Sequence, residues 1–103
     1  MNTLPPLTDQ IGQEIEAGRL FITPIDEDIS CGVVEDIVEQ KSEYSSTGTK
    51  RVIKTRRVAL HGLNSVGRIK VGRFNYSSKI LIVDSFNFLP TNLRIQVEVA
   101  LGI

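Results

Sequence analysis

The stretch Leu93-Arg94-Ile95-Gln96-Val97-Glu98-Val99-Ala100-Leu101 decides how the chain reads. Its large apolar residues fall on every second position, and Arg94, Gln96, Glu98 and Ala100 fall between them. That period predicts a strand over Leu93–Leu101 with one face buried and one in water. Pro90-Thr91-Asn92 before it reads as a turn. The strand is expected to close a sheet or to reach a neighbouring molecule.

Working back from it, Lys79–Val83 contains the run Ile80-Leu81-Ile82-Val83 and predicts a short buried strand. Val66–Phe74 is a strand candidate, bounded by the turn clusters His61–Ser65 and Asn75–Ser78. Arg51–Leu60 begins basic, ends apolar and also predicts a strand. Lys41–Thr49, rich in Ser, Thr and Gly, reads as a long polar loop or hairpin tip. Ile29–Gln40 fits helical spacing, but Val33, Val34, Ile37 and Val38 are β-branched and Gly32 weakens a helix, so a strand is favoured. Leu20–Ile25 is apolar, and Pro24 limits it to a sheet edge or a strand end. Asp26-Glu27-Asp28 reads as a turn. Near the start, Pro5-Pro6 favours an arm. Thr8 is placed to cap a short helix over Asp9–Ala17, with Ile11 and Ile15 on one face and Gly18 at its end.

These elements predict a mainly β fold: a small antiparallel β-barrel or sandwich with a short N-terminal helix or arm (1–18) and a polar loop at 41–49. All 103 residues fit one domain, with material for one core but not two. No stretch has the roughly 20 apolar residues of a membrane span, so no membrane contact is expected. Met1–Leu7 lacks the pattern of a secretory signal. Cys31 is the only cysteine and is expected to be a small buried thiol.

The charge is unevenly placed. Residues 1–49 hold two bases and ten acids, and residues 50–103 hold ten bases and two acids, so the halves carry −8 and +8 and the chain none. Two arrangements produce this. Acidic and basic strands can pair within one sheet, or charge can segregate to opposite faces that attract other molecules.

Few residues suit catalysis. A structural zinc site needs four Cys or His, and the chain has one of each. Asp26-Glu27-Asp28 has no calcium-loop spacing. His61 sits in a turn beside Gly62, with no partner indicated for nucleophilic chemistry. Gly62, Gly67 and Gly72 match neither phosphate-cradle pattern. No enzyme activity and no cofactor are therefore expected. Lys50, Arg51, Lys54, Arg56, Arg57, Arg68, Lys70, Arg73 and Lys79 could line a nucleic-acid groove, with Phe74 and Tyr76 to stack on bases. Strand alternation divides the first group, however, with Lys50, Lys54 and Arg56 on one face and Arg51 and Arg57 on the other.

From Gly32 onward the order of elements resembles the head–tail connector proteins of tailed bacteriophages, also called head-completion, attachment or stopper proteins. The resemblance lies in Gly32-Val33-Val34-Glu35-Asp36, the polar loop Tyr44-Ser45-Ser46-Thr47-Gly48 and the strand Val52–Leu60. It continues through Gly67-Arg68-Ile69-Lys70-Val71-Gly72, Tyr76, Ile82-Val83-Asp84 and the alternating Leu93–Leu101. It implies a small β-barrel, a homo-oligomeric ring between portal or neck and tail, neighbouring virion proteins as partners, and a place in the virion after synthesis in the host cytoplasm. The same features fit a tail or capsid-cementing protein. A small nucleic-acid-binding barrel using the basic region 50–79, or one making non-specific DNA contact, is the alternative. The candidate contact residues are Asp26, Glu27, Asp28, Tyr44, Lys50, Arg51, Lys54, Arg56, Arg57, Arg68, Lys70 and Arg73.

Overall fold

The computed structural model describes residues 7–25, 28–41, 49–74 and 77–103. The β-branched runs form the strands β1 (Leu20–Ile25), β2 (Asp28–Lys41), β3 (Thr49–His61), β4 (Ser65–Val66), β5 (Lys70–Phe74) and β6 (Leu81–Val83). A single 3-10 turn, Ser77–Lys79, precedes β6. Among the described residues there is one α-helix, α1 (Thr91–Leu101), which ends two residues before the last. All strand pairs are antiparallel, in the order β4-β3-β2-β1-β6, with β5 also on β3. The fold is mainly β and antiparallel, as expected, and the sheet stays open rather than closing into a barrel, one of the two expected forms.

Ile29–Gln40 is a strand, as its β-branched residues indicate. Asp28 belongs to that strand rather than to a turn. Pro24 obeys its constraint in an unexpected place. β1 lies between β2 and β6, but β6 pairs only with Leu20–Ile22, so Pro24 lies past the end of that pairing. The predicted strand Val66–Phe74 is broken into β4 and β5, which occupy successive parts of the same edge of β3. The polar segment 42–48 lies outside the described residues; β2 and β3 pair up to Lys41 opposite Thr49.

Two predicted elements take the other type of structure or none. Leu93–Leu101 is helix, not strand, and Pro90-Thr91-Asn92 leads into it rather than reversing the chain. Alternation explains the error. Residues four apart share a helix face, so Leu93, Val97 and Leu101 are buried while Ile95 and Val99 point the other way. A period of two thus contains a helix with two apolar stripes. Gly102, at φ 75°, stops the helix, and the N–H groups of Gly102 and Ile103 donate to the carbonyls of Val99 (3.2 Å) and Glu98 (3.0 Å). Asp9–Ala17 is not helical. The Asp9 carboxylate instead accepts from the backbone N–H groups of Ile11 (3.0 Å) and Gln13 (2.8 Å), and Gly12 takes φ 86°. Such local side-chain bonds compete with a helix.

The chain also builds two clusters rather than one core. On one face of the sheet, Phe21, Val34, Ile53, Phe74 and Ile82 pack with Ile15 and Ile80, under the N-terminal segment. On the other, Cys31 and Val58 pack with Phe86, Val97 and Leu101, under α1. A single sheet covered on both faces needs only a few side chains per cluster, so 103 residues suffice. Cys31 is fully buried, and burial pushes its thiol up to about 11, which leaves it protonated and unreactive near neutrality.

Past residue 34, β2 loses its β1 neighbour, and β3 has no pairing with β5 before Ile53. Among the described residues this end of the hairpin is therefore a two-stranded ribbon, and the molecule measures 48 × 23 × 23 Å.

Candidate functional site

Part of the charge imbalance between the halves is resolved inside the β2–β3 hairpin. Asp36 stands opposite Lys54 and Glu39 opposite Arg51. A bulge between Val34 and Asp36 inserts Glu35, whose Oε1 lies 2.7 Å from Arg56 Nε. That contact is poorly aligned for a hydrogen bond and acts as a charge pair. A Cβ placed on Gly102 would lie 3.6 Å from Arg56 Nη1, so the guanidinium also stands at the C-terminal end of α1, where a cation is favoured. Acidic and basic strands thus meet in one ladder, and Arg56 has a structural role.

The basic residues do not form one groove. Arg56 and Lys54 share a face with Val58, while Arg57 shares the opposite face with Ile53 and Ala59, as the alternation predicts. Arg73, on β5, is opposite Lys54. Lys50 is opposite Gln40 near the far end of the ribbon. Asp26, Glu27, Tyr44 and Tyr76 lie outside the described residues.

Four of the predicted contact residues do come together. Asp28, Arg57, Arg68 and Lys70 line a cleft of about 120 Å³ with Ser30, Ala59, His61 and Gly67. The register makes this cleft. Ser30 pairs with Ala59, so small side chains form its floor, and Arg57 pairs with Lys70, so two long cations rise side by side at its rim. The short connection between β4 and β5 brings Gly67 and Arg68 to it. The Gly67 N–H donates to the Ala59 carbonyl (2.8 Å), and a Cβ on Gly67 would stand 2.8 Å from His61 Nε2, so a side chain there would push the imidazole off this turn. At the opposite rim, Asp28 Oδ2 is 3.8 Å from His61 Nδ1. Arg57 lies over the Phe74 ring, 5.7 Å from its centroid.

Sequence reasoning missed Ser30, Ala59, His61 and Gly67 as cleft residues, because the β2–β3 register and the β4–β5 connection join them. It also missed the outward stripe of α1. Ile95 is 51%, Val99 74% and Ile103 53% exposed, and Arg94 Nη1 donates to Glu98 Oε1 (3.1 Å) beside the stripe. That feature becomes visible once the alternation is projected on a helix.

Among the described residues, no group of three or more His, Cys, Asp or Glu is placed to hold a metal ion, and no helix is long and apolar enough to cross a membrane. Comparison with known proteins finds no matching family model, no similar curated protein and no similar solved structure.

Proposed function

We propose that the protein is a non-enzymatic structural subunit that works by associating with copies of itself, and that its setting is a tailed-phage particle, at the head–tail junction. The outward face of α1 carries the first part of this reading. Ile95 and Val99 are one helical turn apart and stand opposite the buried stripe, with Ile103 following. Helices of a monomer ordinarily turn polar residues to water. A short helix with a second apolar stripe gains by covering it, and a second copy of the chain brings an equivalent stripe. Among the described residues no further strand pairs with the edges of the β2–β3 ribbon, which makes them a surface suited to strand addition between subunits. The phage setting rests on the resemblance from Gly32 onward, of which the final element, Leu93–Leu101, is now a helix.

Light scattering over a range of protein concentrations tests self-association. The wild-type mass should rise with concentration, and Ile95→Glu with Val99→Glu should hold the chain as a monomer with an unchanged circular-dichroism spectrum. A wild-type protein that stays monomeric at every concentration and salt level would remove α1 as a self-contact. Mass spectrometry of purified tailed particles from cells that encode the chain tests the setting separately; absence of the chain from them refutes it.

A further inference from the structure

The cleft on the other face of the sheet, away from α1, has a chemistry that self-association through α1 does not use. Three observations define it. First, Arg57 and Lys70 are register partners on β3 and β5, which sets their Cβ atoms roughly 5 Å apart on one face. Like charges in that position destabilise a sheet. Second, the neighbouring strand does not compensate them. Lys54 also faces a cation, Arg73, but has Asp36 on its β2 side; Arg57 has Gly32 there. Elsewhere β3 meets acids at Asp36 and Glu39 and contacts Glu35. Among the described residues, no carboxylate forms an ion pair with Arg57, Arg68 or Lys70. Third, the three cations do not stand on a flat surface. They surround a recess floored by Ser30, Ala59 and Gly67, with room for several waters or one tetrahedral oxyanion.

We propose that this cleft binds a phosphate group, with Arg57, Arg68 and Lys70 as its cationic ligands. The division of labour follows from the side chains. Arg57 is half-buried, and its guanidinium lies over Phe74, four residues along β5 from Lys70, so it adds charge beside the recess and swings from the ring onto a bound anion. Arg68 and Lys70 are exposed and close on the anion from the rim. Lys70 supplies a compact charge and Arg68 a second fork, and both make charge-assisted hydrogen bonds to phosphate oxygens. A bound anion relieves the repulsion between Arg57 and Lys70. Asp28 limits the recess on one side, which favours a single phosphate over an extended polyanion lying across the whole cleft.

The phosphate can belong to a free phosphate or phosphomonoester, or to a nucleic-acid backbone, and one titration separates these sources. Amide chemical shifts of Ala59, Gly67 and Lys70 are followed in the full-length protein as inorganic phosphate is added, and in a second series as a short oligothymidylate is added. Saturable shifts with inorganic phosphate identify a free-phosphate site. Saturation with the oligonucleotide alone, weakening as salt rises, identifies the backbone as the source. In either case Arg68→Gln with Lys70→Gln should weaken binding at least about tenfold, since each removes a charge-assisted contact. These two side chains are exposed, so the pair leaves the fold intact. Lys54→Gln, on the other face, should leave the affinity unchanged. Shifts that fail to saturate with both probes, or that are the same in the double variant, overturn the proposal. Since α1 takes no part, the Ile95→Glu and Val99→Glu protein should bind phosphate as the wild type does.

Discussion

The two faces of the sheet are covered in opposite ways. On the α1 side the cover is regular. The helix satisfies its own backbone and contributes only apolar side chains to the cluster around Val58 and Cys31. On the other side the cover is an irregular segment, residues 7–18, tied by scattered backbone bonds such as the Asp9 N–H to the Gln13 carbonyl (2.9 Å) and the Ile15 N–H to the Leu7 carbonyl (2.8 Å) rather than by a helical ladder. The Asp9 side chain completes the set. Its carboxylate accepts from the N–H groups of Ile11 and Gln13 and from Gln13 Nε2 (2.9 Å), and across the cluster from the Ile82 N–H (2.8 Å). Gln13 Nε2 also donates to the Ile82 carbonyl (3.0 Å), and the Gln10 N–H to the Ile80 carbonyl (3.1 Å). A layer without regular structure therefore needs a buried polar group, whereas a helical layer needs only shape and apolarity.

That contrast predicts different failures. On the helical side, Leu101→Ala removes a fully buried side chain between α1 and the sheet. It should cost about 2–5 kcal/mol in urea unfolding, with no change in how stability depends on pH. On the irregular side, Asp9→Ala leaves the buried Ile82 N–H without its partner and should cost about 1–3 kcal/mol. Its signature is pH. Burial by itself would raise the Asp9 pKa, but the bonds from Ile82, Gln13 and Ile11 outweigh it and hold the carboxyl below its ordinary 3.8. A lowered folded-state pKa means that the ionised group's contribution is fully present above about 3.8 and is lost as pH falls through the lower folded value. Unfolding midpoints measured from pH 6 down to pH 2 should converge for wild type and Asp9→Ala at the acid end. Parallel curves would show that Asp9 contributes no ionised-state stability.

Within the sheet, on the face toward the irregular cover, Gly32 tests how closely three strands meet. It pairs with Phe21 across β1 and β2, and a Cβ there would lie 2.5 Å from Phe21 Cζ and 2.7 Å from the Arg56 carbonyl oxygen. The ring can shift, but the carbonyl belongs to the β2–β3 ladder and cannot move without breaking it. Gly32→Ala should cost about 1–3 kcal/mol, read as a lower thermal midpoint. An unchanged midpoint would mean that the ladder yields at this point.

The strands were legible because their evidence is local. β-branched runs mark β1, β2, β3 and β6, Pro24 marks where β1 loses a neighbour, and alternation correctly divides Arg56 from Arg57. The helices were not. Asp9–Ala17 carries a capping Thr, acids and a terminal Gly, all helix signals, but a long-range bond from Asp9 to Ile82 holds it in another form. In α1 the N-cap position is Pro90, without a side-chain cap, and the β-branched residues and alternation argue for a strand. The cleft was half legible. Its cations were individually conspicuous, but their meeting depends on Arg57 facing Lys70 and Ser30 facing Ala59, a register no local pattern specifies.

The smallest expected effect separates the two stripes of α1 and bears most directly on that ambiguity. If residues 91–101 formed a strand, Val97 and Val99 would share one face and react alike to substitution. In the helix they stand on opposite faces: Val97 is fully buried and Val99 is 74% exposed. Val97→Ala should then cost about 1–3 kcal/mol through lost burial and a residual cavity. Val99→Ala should stay within about 0.7 kcal/mol of wild type and lean toward stabilisation, because alanine is the better helix former and little apolar contact is lost within the chain. Measuring both by urea unfolding at low protein concentration isolates the monomer. Repeating the measurement at high concentration brings in association, and there Val99→Ala should lose the extra stability that the wild type gains from a covered stripe. Equal costs for the two substitutions at low concentration would contradict the helix. A Val99→Ala protein that matches the wild type at every concentration would keep the helix and leave its outward stripe without a partner copy.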